Sequence, residues 1–230
     1  MKKAVKQQRD NLQQGIYRII NPFVHFLIRI GLTPNMVTTI GFIGNIIAAG
    51  FFAMAGYRSL VDHHLHTGWI GWGGLVLIVF SLFDMLDGQV ARLGNMASTF
   101  GAMYDSVLDR YSELVTLGGL AYYLICIHYP IGALITFVAL IGSIMVSYVR
   151  ARAEGLGIEC KIGFMQRPER VVLTALATAA TGIIGAIDYP DSRPAVIVLI
   201  VAMGIIAVFA NLTAFARISH CRRELRRLGK

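Results

Sequence analysis

Four carboxylates stand at helical spacings in one stretch of this chain: Asp84-Met-Leu-Asp87-Gly88-Gln-Val-Ala91-Arg92, then eight residues, then Gly101-Ala-Met-Tyr-Asp105-Ser-Val-Leu-Asp109. Asp84 and Asp87 are i,i+3 and Asp105 and Asp109 are i,i+4, so each pair occupies one face of a helix. Both pairs adjoin long apolar segments, where an ionised carboxylate is costly unless a partner compensates it. Two such faces turned toward each other make an all-oxygen cage that suits magnesium or manganese rather than zinc. Either pair alone would read as a helix cap or a solvated surface. Both together, with Gly and Ala inserted at close-approach positions, read as a functional site.

The pattern Asp-x-x-Asp-Gly-x-x-Ala-Arg, eight residues, Gly-x-x-x-Asp-x-x-x-Asp resembles the motif of the CDP-alcohol phosphotransferase family and matches it at every fixed position. Members of that family are integral membrane enzymes that move a phosphatidyl or related group from a CDP-linked donor to an alcohol. The resemblance implies two ions of Mg2+ or Mn2+ per site, held by Asp84, Asp87, Asp105 and Asp109, with Asp109 also the general base for the incoming hydroxyl. Two such ions would bridge the donor's diphosphate and stabilise the departing CMP. The resemblance further implies that Gly88, Arg92 and Ser98 contact the CDP part of the donor, as does Asn35-Met36-Val37-Thr38. On the residues alone, Asn35 and Thr38 read as helix caps. Gly88 and Ala91 make sense as small residues that let the nucleotide lie against the helix backbone. Gly101 is expected to let the third span approach the second.

These residues need long helices to carry them, and the composition supplies them. The chain has 230 residues, 56% of them hydrophobic, and a mean hydropathy of +0.63. That excess fits a polytopic membrane protein and leaves little room for a soluble domain. At roughly 20 residues per span, six spans fit. They are expected at residues 35–57, 69–92, 98–127, 131–149, 171–187 and 194–217. Residues 12–30 read as an amphipathic helix in the membrane interface, kinked at Pro22. A short helix packing on the bundle is the equal alternative. The net charge of +8 falls at segment ends and loops, which points to anionic lipid rather than nucleic acid. The three cysteines show no CxxC spacing, so neither a disulfide framework nor a zinc site is expected. No cleaved signal peptide is read at the basic N-terminus.

Lys and Arg crowd the N-terminus, the loop between spans four and five, and the C-terminus, whereas the alternate loops hold only Arg58 and Arg193. The termini and the aspartate turn are therefore expected on the cytoplasmic side of the cell membrane. His63, His64 and His66 fall on the opposite side and read as an ordinary polar loop. Arg150, Arg170 and Arg217 can converge beside the aspartates, where three guanidinium groups suit a phosphorylated alcohol. Arg152 and Arg167 are further candidates. Positive-inside orientation alone would also put arginines there. The stretch Ser147-Tyr148-Val149-Arg150-Ala-Arg152-Ala-Glu154, followed by Arg167-Pro-Glu169-Arg170, resembles the subgroup of the family that makes phosphatidylinositol phosphate from inositol 1-phosphate. Arg150 stands where that subgroup carries a lysine, and the two side chains differ in geometry.

The expected protein is thus all-α: one membrane domain over 1–230, with an N-terminal helical segment over 1–32, a six-helix bundle over 33–217 and a basic cytoplasmic tail over 218–230. Its expected reaction transfers a phosphatidyl group from CDP-diacylglycerol to inositol 1-phosphate, releasing CMP. The same reaction with free inositol, glycerol 3-phosphate or serine is the nearest alternative. A divalent-cation transporter is the alternative from another class, although the later spans supply no matching acids at depth. Membrane lipids are expected partners, and family analogy implies a homodimer, with Gly41, Gly44 and Gly50 able to support close helix contacts.

Overall fold

The computed structural model describes residues 21–187 and 193–228, and among these no strand occurs. Helix α1 covers residues 21–29. It is followed by α2 (Pro34–Asp62), α3 (Thr67–Leu93), α4 (Thr99–Cys126), α5 (Pro130–Glu154), α6 (Arg167–Ile187) and α7 (Arg193–Arg227). Proline opens α2 and α5 and stands second in α6 and α7, positions where its missing N–H leaves no bond unmade. Thr33 caps α2 by accepting the Met36 N–H at 3.4 Å. Ser98 caps α4 by accepting the Gly101 N–H at 2.9 Å. Gly31, at φ +81°, ends α1: its N–H donates to the Ile28 carbonyl and that of Leu32 to the Leu27 carbonyl.

The chain divides into two compact units, one from Met1–Phe42 and Phe80–Leu108, the other from Ile43–Val79 and Asp109–Lys230. In the first, Val24, Leu27, Val37, Leu86 and Val90 form the core. The part of the expected interfacial helix that is described therefore buries one face against α2 and α3, while Phe23, Phe26 and Ile30 remain exposed. Residues 12–20 of that expected helix lie outside the described residues. The core of the second unit is built from α2 through α7 around Phe52, Tyr123, Leu199 and Met203. There α3 and α6 touch backbone to backbone, for a Cβ on Gly182 would collide with Gly71 Cα.

All six expected long helices are present among the described residues, but four outrun their apolar stretches, α2 by continuing past Tyr57 to Asp62. Helix α5 continues to Glu154, α6 begins at Arg167 instead of Val171, and α7 runs on to Arg227. The tail expected over 218–230 is thus mostly helix. Pairs such as Arg150–Glu154 at 2.9 Å and Arg227–Glu224 at 3.2 Å lie at helical neighbour spacing and support the charged turns. Among the described residues five helices, α2, α3, α5, α6 and α7, are long and apolar enough to cross a membrane. Helix α4 falls outside that group because Asp105, Asp109, Arg110 and Glu113 occupy its first half.

The connection from α5 to α6 docks on the end of α7. Cys160 is fully buried beside Ile158 and Cys221, and the two sulfurs stand 3.8 Å apart. Burial first, and then Cys221 beside it, push the Cys160 thiol up from its ordinary value.

Candidate active site

The first unit holds a cavity of about 220 Å3 whose lining includes Asn35, Thr38, Asp87, Gly88, Ala91, Ser98, Gly101 and Asp105. Five of the eight residues expected to contact the CDP part, Asn35, Thr38, Gly88, Ala91 and Ser98, thus meet around one space with two of the aspartates. Arg92 is exposed and folds back over Gly88, where an added Cβ would lie 3.7 Å from its Nη2. Met36 is 48% exposed and does not line the cavity, and Val37 is fully buried in the core. The valine's side chain therefore packs rather than lining the space. Gly101 also differs from expectation: a Cβ there would meet Ser98 Oγ at 3.0 Å and Asn35 Oδ1 at 3.2 Å. It makes room for the start of α2, not for α3.

Asp87 feels the charges of both Asp105 and Asp84. Its Oδ2 lies 2.8 Å from Thr38 Oγ1, which is also 3.0 Å from the Pro34 carbonyl. The hydroxyl has one hydrogen to give, and the ionised acceptor makes the stronger bond. Thr38 thus orients Asp87 in addition to lining the cavity. Gly41 has a comparable role for Asp84, whose Oδ1 would stand 2.9 Å from a Cβ at that position. Among the described residues no three His, Cys, Asp or Glu side chains are gathered into a ready-made cage. The donor chemistry fits a hard divalent cation all the same. Magnesium is commonly bound through one or two carboxylates, with waters and substrate phosphates completing its shell. Thr38→Val, which keeps volume and removes the hydroxyl, is expected to weaken manganese binding by about tenfold to a hundredfold, as losses around metal ligands do. Titration with Mn2+, followed by electron paramagnetic resonance, measures this.

The second unit holds Asp109, four residues beyond Asp105 on α4. Its Oδ1 is 2.8 Å from Arg167 Nη2, with both side chains about four-fifths buried. Arg167, a further candidate for the acceptor phosphate, is therefore an immediate partner of the expected base. One turn on, Arg170 donates from Nε to Glu113 Oε1 at 2.7 Å and from Nη2 to Oε2 at 3.0 Å. Arg217 is 2% exposed and donates to the Ile162 carbonyl at 2.8 Å and the Val146 carbonyl at 2.7 Å. It lies within electrostatic reach of Arg150 and Arg170. Arg150 pairs with Glu154. Arg152 is exposed and, two residues from Arg150, faces away from it on the helix. Glu113 had no part in the expected site, yet its spacing from Asp109 repeats that of Asp109 from Asp105.

The model of the family described as CDP-alcohol phosphatidyltransferase matches residues 31–218. A phosphatidylinositol phosphate synthase of Mycobacteroides abscessus is 32% identical over 208 residues, covering 90% of this chain and 84% of that protein. A synthase of the same name from Mycobacterium tuberculosis is 34% identical over 205 residues, covering 87% and 84%. A crystal structure of the latter organism's phosphatidylinositol phosphate synthase with CDP-DAG bound superposes with a TM-score of 0.73 at 30% identity, over 89% of this chain and 94% of that one. A second, in complex with manganese and citrate, gives 0.72 at 30% identity over 87% of each. The match through both compact units, on top of the full aspartate motif, makes this chain a member of the CDP-alcohol phosphatidyltransferase family.

Proposed function

We propose that this protein transfers the phosphatidyl group of CDP-diacylglycerol to inositol 1-phosphate and releases CMP. The observation that carries the acceptor assignment is the buried Arg217, within electrostatic reach of Arg150 and Arg170, on a chain similar to proteins named phosphatidylinositol phosphate synthase. Arg217, buried and donating to two backbone carbonyls, favours a phosphorylated alcohol, because an uncharged one would leave its charge without a bonded anion.

Asp84, Asp87, Asp105 and Asp109 would hold two divalent ions, Mg2+ or Mn2+. When bound, such ions supply Lewis-acid activation of the phosphorus and stabilise the charge on departing CMP. The chain's own groups do the rest. Thr38 keeps Asp87 turned to the cavity. Gly88 and Ala91 leave the backbone of α3 open to the nucleotide, and Arg92 pairs with the diphosphate. Arg167 fixes the Asp109 carboxylate, which accepts the proton of the attacking hydroxyl. The new phosphorus–oxygen bond forms to that hydroxyl oxygen. The bond from phosphorus to the CMP oxygen breaks, and CMP leaves with the electron pair.

The same reading makes α4 a sixth span, its 28 residues reaching about 42 Å. It treats 33–217 as one functional domain, which the continuous family match supports. It sets the termini and aspartates on the cytoplasmic side, supported by the Lys and Arg distribution, and takes the protein as a homodimer among membrane lipids. The test is CMP release from CDP-diacylglycerol by the purified enzyme, with inositol 1-phosphate, free inositol, glycerol 3-phosphate and serine compared, with and without Mg2+. Free inositol is expected to show kcat/KM lower by on the order of a thousandfold. Preference for free inositol or glycerol 3-phosphate, or release independent of metal, would overturn the proposal.

A further inference from the structure

Asp105, Asp109 and Glu113 follow one another at four-residue intervals on α4, and the last two face arginines three residues apart on α6. The result is a two-rung ladder inside the second unit: Asp109 with Arg167, Glu113 with Arg170. The rungs differ in exposure. The side chains of the first are 20% and 21% exposed, those of the second 2% and 7%. The dry rung is also the better defined, a fork-to-fork pair at 2.7 and 3.0 Å. Arg170 Nη1 donates in addition to the Met165 carbonyl at 3.1 Å. A guanidinium has five N–H donors in one plane, so these bonds leave one hydrogen on each Nη and fix the direction in which both point.

Arg170, Glu113 and Arg167 line a cavity of about 30 Å3 together with Asn45, Thr116 and Ser143. Ser143 is fully buried and its Oγ has no hydrogen-bond partner. Leu77, Leu117, Val171 and Ile206 complete its lining, so the fork and Ser143 stand at the edge of a mostly apolar space with room for about two water molecules. An apolar pair of the same volume in place of the fork would cost the fold little or nothing, because desolvation of two charges cancels most of their attraction. What a buried fork adds is geometry, and a lysine in place of Arg170 could not reproduce it.

Resting on the acceptor reading above, we infer that Glu113 is a positioning residue: it holds the Arg170 guanidinium so that its two remaining N–H groups face the acceptor's phosphate. Glu113 acts through Arg170 and touches no substrate itself. Neutralising it leaves Arg170 with its charge but without its aim.

The experiment compares wild type with Glu113→Gln, Glu113→Asp and Arg170→Ala in the purified full-length enzyme, reading KM for inositol 1-phosphate, KM for CDP-diacylglycerol, and Tm. Glu113→Gln is expected to raise the acceptor KM about tenfold while the donor KM stays within about twofold. Glu113→Asp keeps the charge and draws the fork back by one methylene, so it should fold like wild type and raise the acceptor KM by a smaller factor. A merely structural counter-ion would lower Tm and leave the ratio of the two KM values alone. An unchanged acceptor KM in both variants overturns the inference, and if Glu113→Gln does not fold, Glu113→Asp decides by itself. Should Arg170→Ala raise the acceptor KM while the Glu113 variants do not, only the positioning role falls. Should Arg170→Ala leave it unchanged, the acceptor pocket of the proposed function falls first.

Discussion

Asp87→Asn is expected to abolish CMP release in a protein that still folds and inserts. Asparagine keeps the volume of the side chain, and its Oδ1 can still accept the Thr38 hydroxyl that lies 2.8 Å from the carboxylate. What disappears is the negative charge that a divalent cation requires. A catalytic metal contributes several kcal/mol of charge stabilisation; a loss of about 4 kcal/mol corresponds to roughly a thousandfold in rate. The same loss is expected for Asn at Asp84, Asp105 or Asp109, each alone. Asp109→Asn additionally deprives Arg167 of an anionic partner 2.8 Å away, so its Tm should fall as well. Assays of CMP release at saturating Mg2+, with thermal melts alongside, separate loss of chemistry from loss of fold. Near-normal release by Asp109→Asn would remove that residue from both of its roles, ligand and base.

The aspartate motif and the six long helices could be read in the sequence because both are local. Spacing along one chain reports which side chains share a helix face, and proline in a first turn marks where the helix begins. Partners across helices are not local, and there the reading failed or stopped short. Val37 sits inside a matched motif stretch, but only the register of α2 against α3 turns its side chain into the core with Leu86 and Val90. Gly101 was expected to serve α3, and it serves Asn35 on α2. Thr38 looked like a cap and a nucleotide contact; that it holds Asp87 depends on a neighbour 49 positions away. Gly41 looked like a helix-contact residue, and its near neighbour is the Asp84 carboxylate. Glu113 alone left a trace, the continued four-residue spacing, but without Arg170 opposite it that spacing has no meaning.

Charge partners separate the acceptor arginines from one another. Arg150 has Glu154 at 2.9 Å on its own helix, with about two-fifths of each side chain exposed or more. Arg170 has the buried Glu113. The bonds from Arg217 go to two backbone carbonyls, of Val146 on α5 and Ile162 in the connection to α6. A buried cation held by dipoles alone draws an anion more strongly than one already neutralised by a carboxylate. Under the proposed function Arg217 would thus hold a phosphate most strongly of the three, and it ties α7 to α5 and to the loop before α6.

Arg217→Ala should therefore raise the KM for inositol 1-phosphate and lower Tm together, whereas Arg150→Ala should do only the first. Hydrogen bonds to a charged group contribute about 1.5–3 kcal/mol, so about tenfold to a hundredfold in acceptor affinity is at stake for each residue. The stability cost at Arg217 arises because its removal strands two carbonyls that it satisfied. At Arg150 the lost partner is an exposed, helix-neighbour ion pair worth at most about 1 kcal/mol. Donor affinity should change little in either variant, since the cavity proposed for the CDP part is lined by the starts of α2 and α4 and the end of α3. Acceptor and donor KM values, measured beside Tm for the two variants, decide the matter. A folded Arg217→Ala enzyme with unchanged acceptor KM, or one whose donor KM rises in step, would leave these arginines as orientation signals of a membrane protein and nothing more.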